Sequence, residues 1–477
     1  MTLRALGYRM YFKLKNAFSD GSFLNKFKRF DYFDLGNSFV LYYGIVFFLF
    51  PLLYLAGLRF HSVAGKVEDG GIFQEWLIIP VLILGIASFV AGRWLFNKKP
   101  LGIKSERVNS SWLTKNFYAL FSLVFLVSIF VKIINLIDGR YYIFQGVIQL
   151  SEIYKYYLGY FEIFGWLSLA LAFIWYFNLL RQGKEYKMWR FFAWSILILE
   201  FLNGFVMNSN FLALKSVVIY VIIRHFLWKK SIFHFLTAFF ISILILLPAG
   251  IYLQEQNRAV LTSLREETKN VTESISRIYL KRDETVVGQT PEKQLAVKKT
   301  FTTPLWLVEY VIASVGRIDQ TLVFSRVVTE TKDFVYFKHL KNFFISLGPP
   351  RFLWTAKPAI TFNGNEFGRK YKIINDHDKA TNVGPTMLGD FYMAFGVWGV
   401  ALGLFFLGWL YGLVFHRLIK IPPNFLSGVL IYSLLWPDLI KGMENQVAPV
   451  LAGAVKLVVF LFFIHLLLTR GWNRKEN

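Results

Sequence analysis

Residues 117–137 read FYALFSLVFLVSIFVKIINLI, an apolar run broken by a single charge, Lys132. As a helix rising about 1.5 Å per residue, a run of this length crosses the roughly 30 Å hydrocarbon core of a bilayer. Nine further stretches of this kind follow the chain: Ser38–Gly57, Trp76–Phe96, Tyr160–Leu180, Phe191–Met207, Leu212–Trp228, Phe233–Leu253, Phe391–Phe415, Phe425–Ile440 and Ala448–Leu468. The expected fold is an all-α polytopic integral membrane protein with about ten transmembrane helices.

Composition agrees. The 477 residues are 55% hydrophobic, 19% aromatic and only 17% charged, where a soluble domain carries about a quarter charged residues. The net charge of +23 falls mostly in short segments between apolar stretches, so it reads as a topology signal and as contact with anionic lipid, not as a nucleic-acid surface. Cysteine is absent, which excludes disulfides, thiol nucleophiles and cysteine metal sites. No P-loop, Gly-x-Ser-x-Gly or His-Glu-x-x-His motif is present.

Orientation follows from lysine and arginine. One set of connections is basic: the N-terminal arm, then residues 93–115, 181–190, 229–230, 417–420 and 470–475. The alternate set is poor in charge, and ten crossings put every basic connection on one side, so both termini are expected in the cytoplasm. The arm, Met1 to Asn37, is too long and mixed for a cleavable signal peptide and reads as a basic interfacial segment. The expected division is an arm over 1–37, helices over 38–253, a large outer, periplasmic loop over 254–390, helices over 391–468 and a tail over 469–477. Long translocated loops escape the positive-inside rule, so the basic character of 254–390 is no conflict. Helical spacing at Val260–Ile278, an apolar stretch over Leu305–Val328 and another over Tyr336–Leu347 make the loop partly helical, with irregular chain from Gly348 to Pro385.

Charges inside the spans need a reason, since each costs about 2.5–3.5 kcal/mol at mid-bilayer. Lys132, Glu162, Glu200, Lys215, Asp438 and Lys456 all fall in or near the outer half, whereas Arg224 can snorkel inward. One explanation is snorkelling and helix–helix pairing; the other is a polar cavity opening outward beneath the loop. Glu200 and Lys215, on consecutive helices joined by a short turn, could pair within it. In the loop, arginines suit a lipid-linked phosphate, because a guanidinium binds phosphate oxygens in a fork and stays charged. A solvated basic surface is the plainer alternative. Glu68-Asp69 beside two glycines reads as a turn, and Asp376-His377-Asp378 alone is a weak metal motif, so no metal or other cofactor is expected.

Four loop segments carry a resemblance. They are Arg317-x-Asp319, Pro-Arg-x-Leu-Trp-x-x-Lys-Pro at 350–358, Phe367-Gly-x-x-Tyr371, and Gly389-Asp390-x-Tyr-x-x-Phe-Gly396 entering a late span. Together with the topology, over roughly Asn203 to Val414, they resemble the bacterial O-antigen and capsule repeat-unit polymerases of the Wzy type. Thr355-Ala356 stands where a proline and an acidic residue are expected, and Asp390 where glutamate is more usual. The resemblance implies a membrane glycosyltransferase in the bacterial cytoplasmic (inner) membrane. It would transfer a growing polysaccharide from undecaprenyl pyrophosphate to a single lipid-linked repeat unit on the outer face. Lys215, Arg317, Arg351, Lys357, Arg369 and Tyr371 would then bind pyrophosphate or glycan, and Asp319, His377 or Asp390 would serve as general base. The implied partners are lipid-linked oligosaccharide, membrane lipid, and a chain-length regulator and flippase. An O-antigen ligase shares much of this pattern, though the Pro-Arg-x-Leu-Trp block favours the polymerase. A lipid-linked oligosaccharide transporter is the non-enzymatic alternative; it would show repeat symmetry and helices broken at mid-membrane.

Overall fold

The computed structural model describes residues 31–49, 78–97, 111–137, 161–183, 187–206, 210–228, 320–349, 354, 356–358, 364–374, 383–420 and 425–470. Helix follows the apolar stretches. The elements are α1 (Leu35–Gly44, continued by a π-helical turn at Ile45–Leu49), α2 (Ile78–Asn97), α3 (Ser111–Ile137), α4 (Ile163–Arg181), α5 (Lys187–Val206) and α6 (Asn210–Leu227). After these come α7 (Thr321–Glu330), α8 (Lys338–Leu347), α9 (Gly364–Lys370), α10 (Met387–Phe415), α11 (Phe425–Lys441) and α12 (Val447–Arg470). No strand occurs among the described residues. Pro80 and Pro449 sit in the first turns of α2 and α12, where a missing N–H costs nothing.

Among the described residues, four helices are long and apolar enough to cross a membrane: Ile78–Leu95, Phe117–Asn135, Ile163–Arg181 and Met387–Lys420. Leu35–Phe48 and Val447–Phe463 are shorter apolar helices. Large apolar side chains stand exposed at helical spacing, as at Leu123, Leu126, Phe130 and Ile133 of α3 and Trp398, Leu402 and Phe406 of α10. In water such stripes would aggregate; against lipid they cost nothing. These features are consistent with an all-α membrane protein. The expected stretch at 233–253 and the spacing at 260–278 lie outside the described residues.

The helices form a bundle around α4, whose residues from Leu167 to Trp175 are all buried. α4 packs on α3, α5, α6 and α11, and α12 packs on α11 and α8. A second layer pairs α2 with α10 through glycines. A side chain at Gly92 would run into the Phe405 carbonyl, and one at Gly408 into that of Phe89, so the backbones touch. α1 lies along α11. The Tyr432 hydroxyl donates to the Phe33 carbonyl, Trp436 Nε1 donates to Ser38 Oγ at 3.1 Å, and the Tyr42 hydroxyl donates to Glu444. At one end of the bundle Arg93 pairs with Asp34 at 2.9 Å and His225 with Asp31 at 3.1 Å. From the described part of 320–374, α7 packs on α10 and α8 packs on α12.

The stretch expected as one late span is two helical pieces. Phe395 and Gly396 leave helical geometry, and Gly396 has a φ of 61°, which glycine adopts without strain. The chain folds so sharply that Phe391 lies against Gly399 and Gly403. Two carbonyls freed near the break are met from the 320–374 segment: Val335 N–H donates to Met393 at 2.9 Å and Tyr336 N–H to Ala394 at 3.1 Å. That segment is more ordered than its composition suggests. It contributes α7 and α8, and α9 interrupts the region expected to be irregular. α7 is anchored by Thr321 Oγ1, which donates to the Val46 carbonyl at 3.2 Å.

Candidate functional site

A cavity of about 850 Å³ opens between α4, α6, α11 and α12 and under residues 347–349 at the end of α8. Its charged lining is Lys215, Asp438, Lys441 and Lys456, three ammonium groups against one carboxylate, and most of the rest is apolar or aromatic. Local sequence builds each position. Gly204 lets the end of α5 close on Ala213, which brings α6 and Lys215 into the bundle. Pro437 removes a helical N–H within α11 and so loosens the turn that presents Asp438.

Lys215 is buried. Its ammonium lies 2.8 Å from each Asp438 oxygen and 3.6 Å from the centre of the Trp166 ring. Lys441 stands 3.7 Å from the centre of the Phe211 ring. A cation over an aromatic face is stabilised by the ring quadrupole without losing its charge. Burial pushes the Lys441 ammonium below the ordinary lysine range, and Lys215 adds to the effect, while Glu444 and Asp438 oppose it. Burial likewise raises the Glu444 carboxyl, against the hydrogen bond from Tyr42 and the charge of Lys441.

The expected pairing of Glu200 with Lys215 is corrected. Glu200 Oε1 accepts from Lys132 at 2.5 Å, and Lys132 also donates to Ser128 Oγ at 2.8 Å. α3 passes close enough to α4 and α5 for Lys132 to reach Glu200, while α11 delivers Asp438 to Lys215. Spacing along two consecutive helices holds no information about a third helix from the far end of the chain.

Of the expected site residues that the structure describes, Lys215 lines the cavity. Lys357 supports its rim, donating to the carbonyls of Gly348 at 3.1 Å and Pro349 at 3.0 Å. Trp354 packs against Gly348 in the same fold-back. Arg369 is half-buried in α9. Tyr371 belongs to a small second core with Val323, Val327, Phe367 and Met393. Burial raises its hydroxyl, against a hydrogen bond with Thr331. Asp390 is buried, and its Oδ2 accepts from Val447 N–H at 2.8 Å, so its charge sits on the N-terminus of α12. Arg317, Asp319, Arg351 and His377 lie outside the described residues. Lys441, Lys456 and Asp438 were not among the expected site residues. Charges within apolar helices had marked the last two, while Lys441 had passed as part of a connection.

Neither a protein-family model, nor a curated protein, nor a solved structure matches the chain.

Proposed function

We propose that this chain is a repeat-unit polymerase, a multi-pass glycosyltransferase that joins undecaprenyl-pyrophosphate-linked oligosaccharides into surface polysaccharide. It would act at the outer face of a bacterial cytoplasmic membrane. The observation that carries the reading is the excess of lysine over carboxylate, among the described lining residues, in an apolar cavity beneath residues 347–349. A diphosphate diester with a long apolar chain is doubly anionic at its head and apolar behind it. Among the described lining residues the cavity has three lysines and one carboxylate, with Glu444 nearby partly offsetting Lys441, and a lining that runs apolar between Phe164 of α4 and Leu457 of α12. Its volume is in the range of about 300–1,000 Å³ in which small-molecule sites fall. Lys357, from the motif at 350–358, braces the rim through the carbonyls of Gly348 and Pro349.

In this reading about ten helices cross the membrane, both termini are cytoplasmic, and 254–390 forms the periplasmic loop. The acceptor hydroxyl attacks the anomeric carbon, a new C–O bond forms, and the bond from that carbon to the diphosphate oxygen breaks. The diphosphate leaves with the electron pair, stabilised by Lys441, Lys456 and, from the loop, Arg317 and Arg351. The acceptor proton passes to a carboxylate or imidazole of the loop, Asp319 or His377. Lys357 shapes the rim, and Asp390 holds α12, which carries Lys456, in register.

The test is a gel of surface polysaccharide from the host lacking this gene. Collapse of the ladder to a single repeat unit on its acceptor supports the polymerase. Loss of all surface polysaccharide with lipid-linked polymer outside points instead to a ligase, and lipid-linked single units trapped inside point to a flippase. Arg317→Ala and Arg351→Ala should each abolish long polymer while the protein stays in the membrane.

A further inference from the structure

Behind Trp166 and Phe161, which wall both spaces, lies a second and much smaller recess. Its polar lining is Ser128, Lys132, Asn135, Glu162, Glu200 and Asn203. Lys132 is committed to Ser128 and Glu200. Asn135 differs. Its side chain is 1% exposed, and neither Oδ1 nor Nδ2 has a hydrogen-bond partner. A buried amide left unmet at both ends is costly, and such groups are nearly always completed by something. The free space of about 10 Å³ is that of one water-sized group.

The chemistry of that group follows from the donors and acceptors around it. A cation would satisfy Oδ1 alone and would face the Lys132 ammonium. An anion would satisfy Nδ2 alone and would face Glu162 and Glu200. A hydroxyl accepts from Nδ2 and donates to Oδ1 or to a carboxylate, so it meets both halves of the amide.

We propose that the Asn135 recess receives a hydroxyl group. Building on the polymerase reading, that hydroxyl belongs to the sugar attached to the diphosphate held at Lys441 and Lys456. Phe161, 45% exposed and bordering both spaces, offers a ring face for the sugar's C–H surface while Asn135 fixes its orientation. A water fills the recess when no sugar is bound. The recess is thus a place where the enzyme distinguishes one lipid-linked sugar from another, apart from the cationic cavity that all such lipids share.

The experiment compares Asn135→Leu with the wild type in two measurements. One is the surface polysaccharide ladder in cells. The other is the binding of farnesyl diphosphate, which has the anion and chain but no sugar, to the purified full-length protein. The expected result is a loss of long polymer of about tenfold or more, with farnesyl diphosphate binding unchanged within about twofold. An unchanged ladder means that the recess holds water only, and the proposal falls. Loss of farnesyl diphosphate binding together with the ladder also overturns it, because the substitution then acts on the whole cavity. If Asn135→Leu does not reach the membrane, Asn135→Ala removes both amide atoms without filling the recess and is read in the same way. A ladder that survives deletion of the gene refutes the polymerase reading itself, whatever the Asn135 variants do.

Discussion

Two lysine–carboxylate pairs stand at the same end of this bundle in opposite surroundings. In Lys132–Glu200 the side chains are 15% and 3% exposed, while in Lys215–Asp438 they are 3% and 40% exposed. In the first, the carboxylate is sealed between α4 and α5, with Gly165 of α4 directly against it. In the second, the lysine is sealed and its partner faces an open cavity. Both pairs hold helices together. Only the second sets a charged group on the wall of the large open cavity; the first lines the small Asn135 recess with its charges committed to each other. An ionisable residue within an apolar helix is therefore not a site by itself; what its partner faces decides whether it can be one.

The sealed pair should give the larger effect on stability. Removing one member of a buried pair strands the other, at about 3–5 kcal/mol. Glu200→Ala should lower the unfolding free energy of the purified protein by that amount, and Lys132→Met with Glu200→Leu should recover most of it. If the double variant is no better than the single one, the pair is not the isolated structural tie described above. At the open pair, Asp438→Asn keeps an oxygen for Lys215 and removes the one negative charge among the described lining residues. Farnesyl diphosphate should then bind about fivefold tighter, for roughly 1 kcal/mol of charge interaction at high effective dielectric. Equal loss of stability at the two pairs, with unchanged affinity, would erase the distinction between them. The smallest effect is on pH dependence. Lys441 is held below the ordinary lysine value of 10.5 by burial. Raising the pH removes its proton, so anion binding should weaken on the alkaline side at a pH below that value. Lys441→Gln should shrink this limb of a binding titration while weakening binding at neutral pH by less than about fivefold.

Much of the helical layout could be read in advance because each apolar stretch is long enough to declare itself. Ile78–Asn97 needed only a small change of boundary, while the first stretch, expected to run to Gly57, is helical from Leu35 to Leu49 with its remainder outside the described residues. The broken α10 was not readable as such: Phe395-Gly396 scans as apolar, and a glycine in a membrane helix commonly serves packing, as Gly408 does. The site was legible as a list of charges within apolar stretches and illegible as a set of partners. Lys215 and Asp438 are joined by the packing of α6 on α11, which no local period encodes. Lys357 was picked out for its charge, yet its geometry is that of a strut, bonded to two carbonyls eight or nine residues earlier. Asp390, chosen for its place in a motif, meets a helix N-terminus supplied by sequence 57 residues later.

The break in α10 also bears on how the chain is made. In hydrocarbon every backbone carbonyl needs a partner, and those of Met393 and Ala394 find theirs in the N–H groups of Val335 and Tyr336. Synthesis runs from the N-terminus, so residues 335–336 leave the ribosome before 393–394. The reverse order would oblige a half-finished helix to sit in the bilayer with open carbonyls until its donors were made. Chain polarity thus places the donors of this contact upstream of its acceptors.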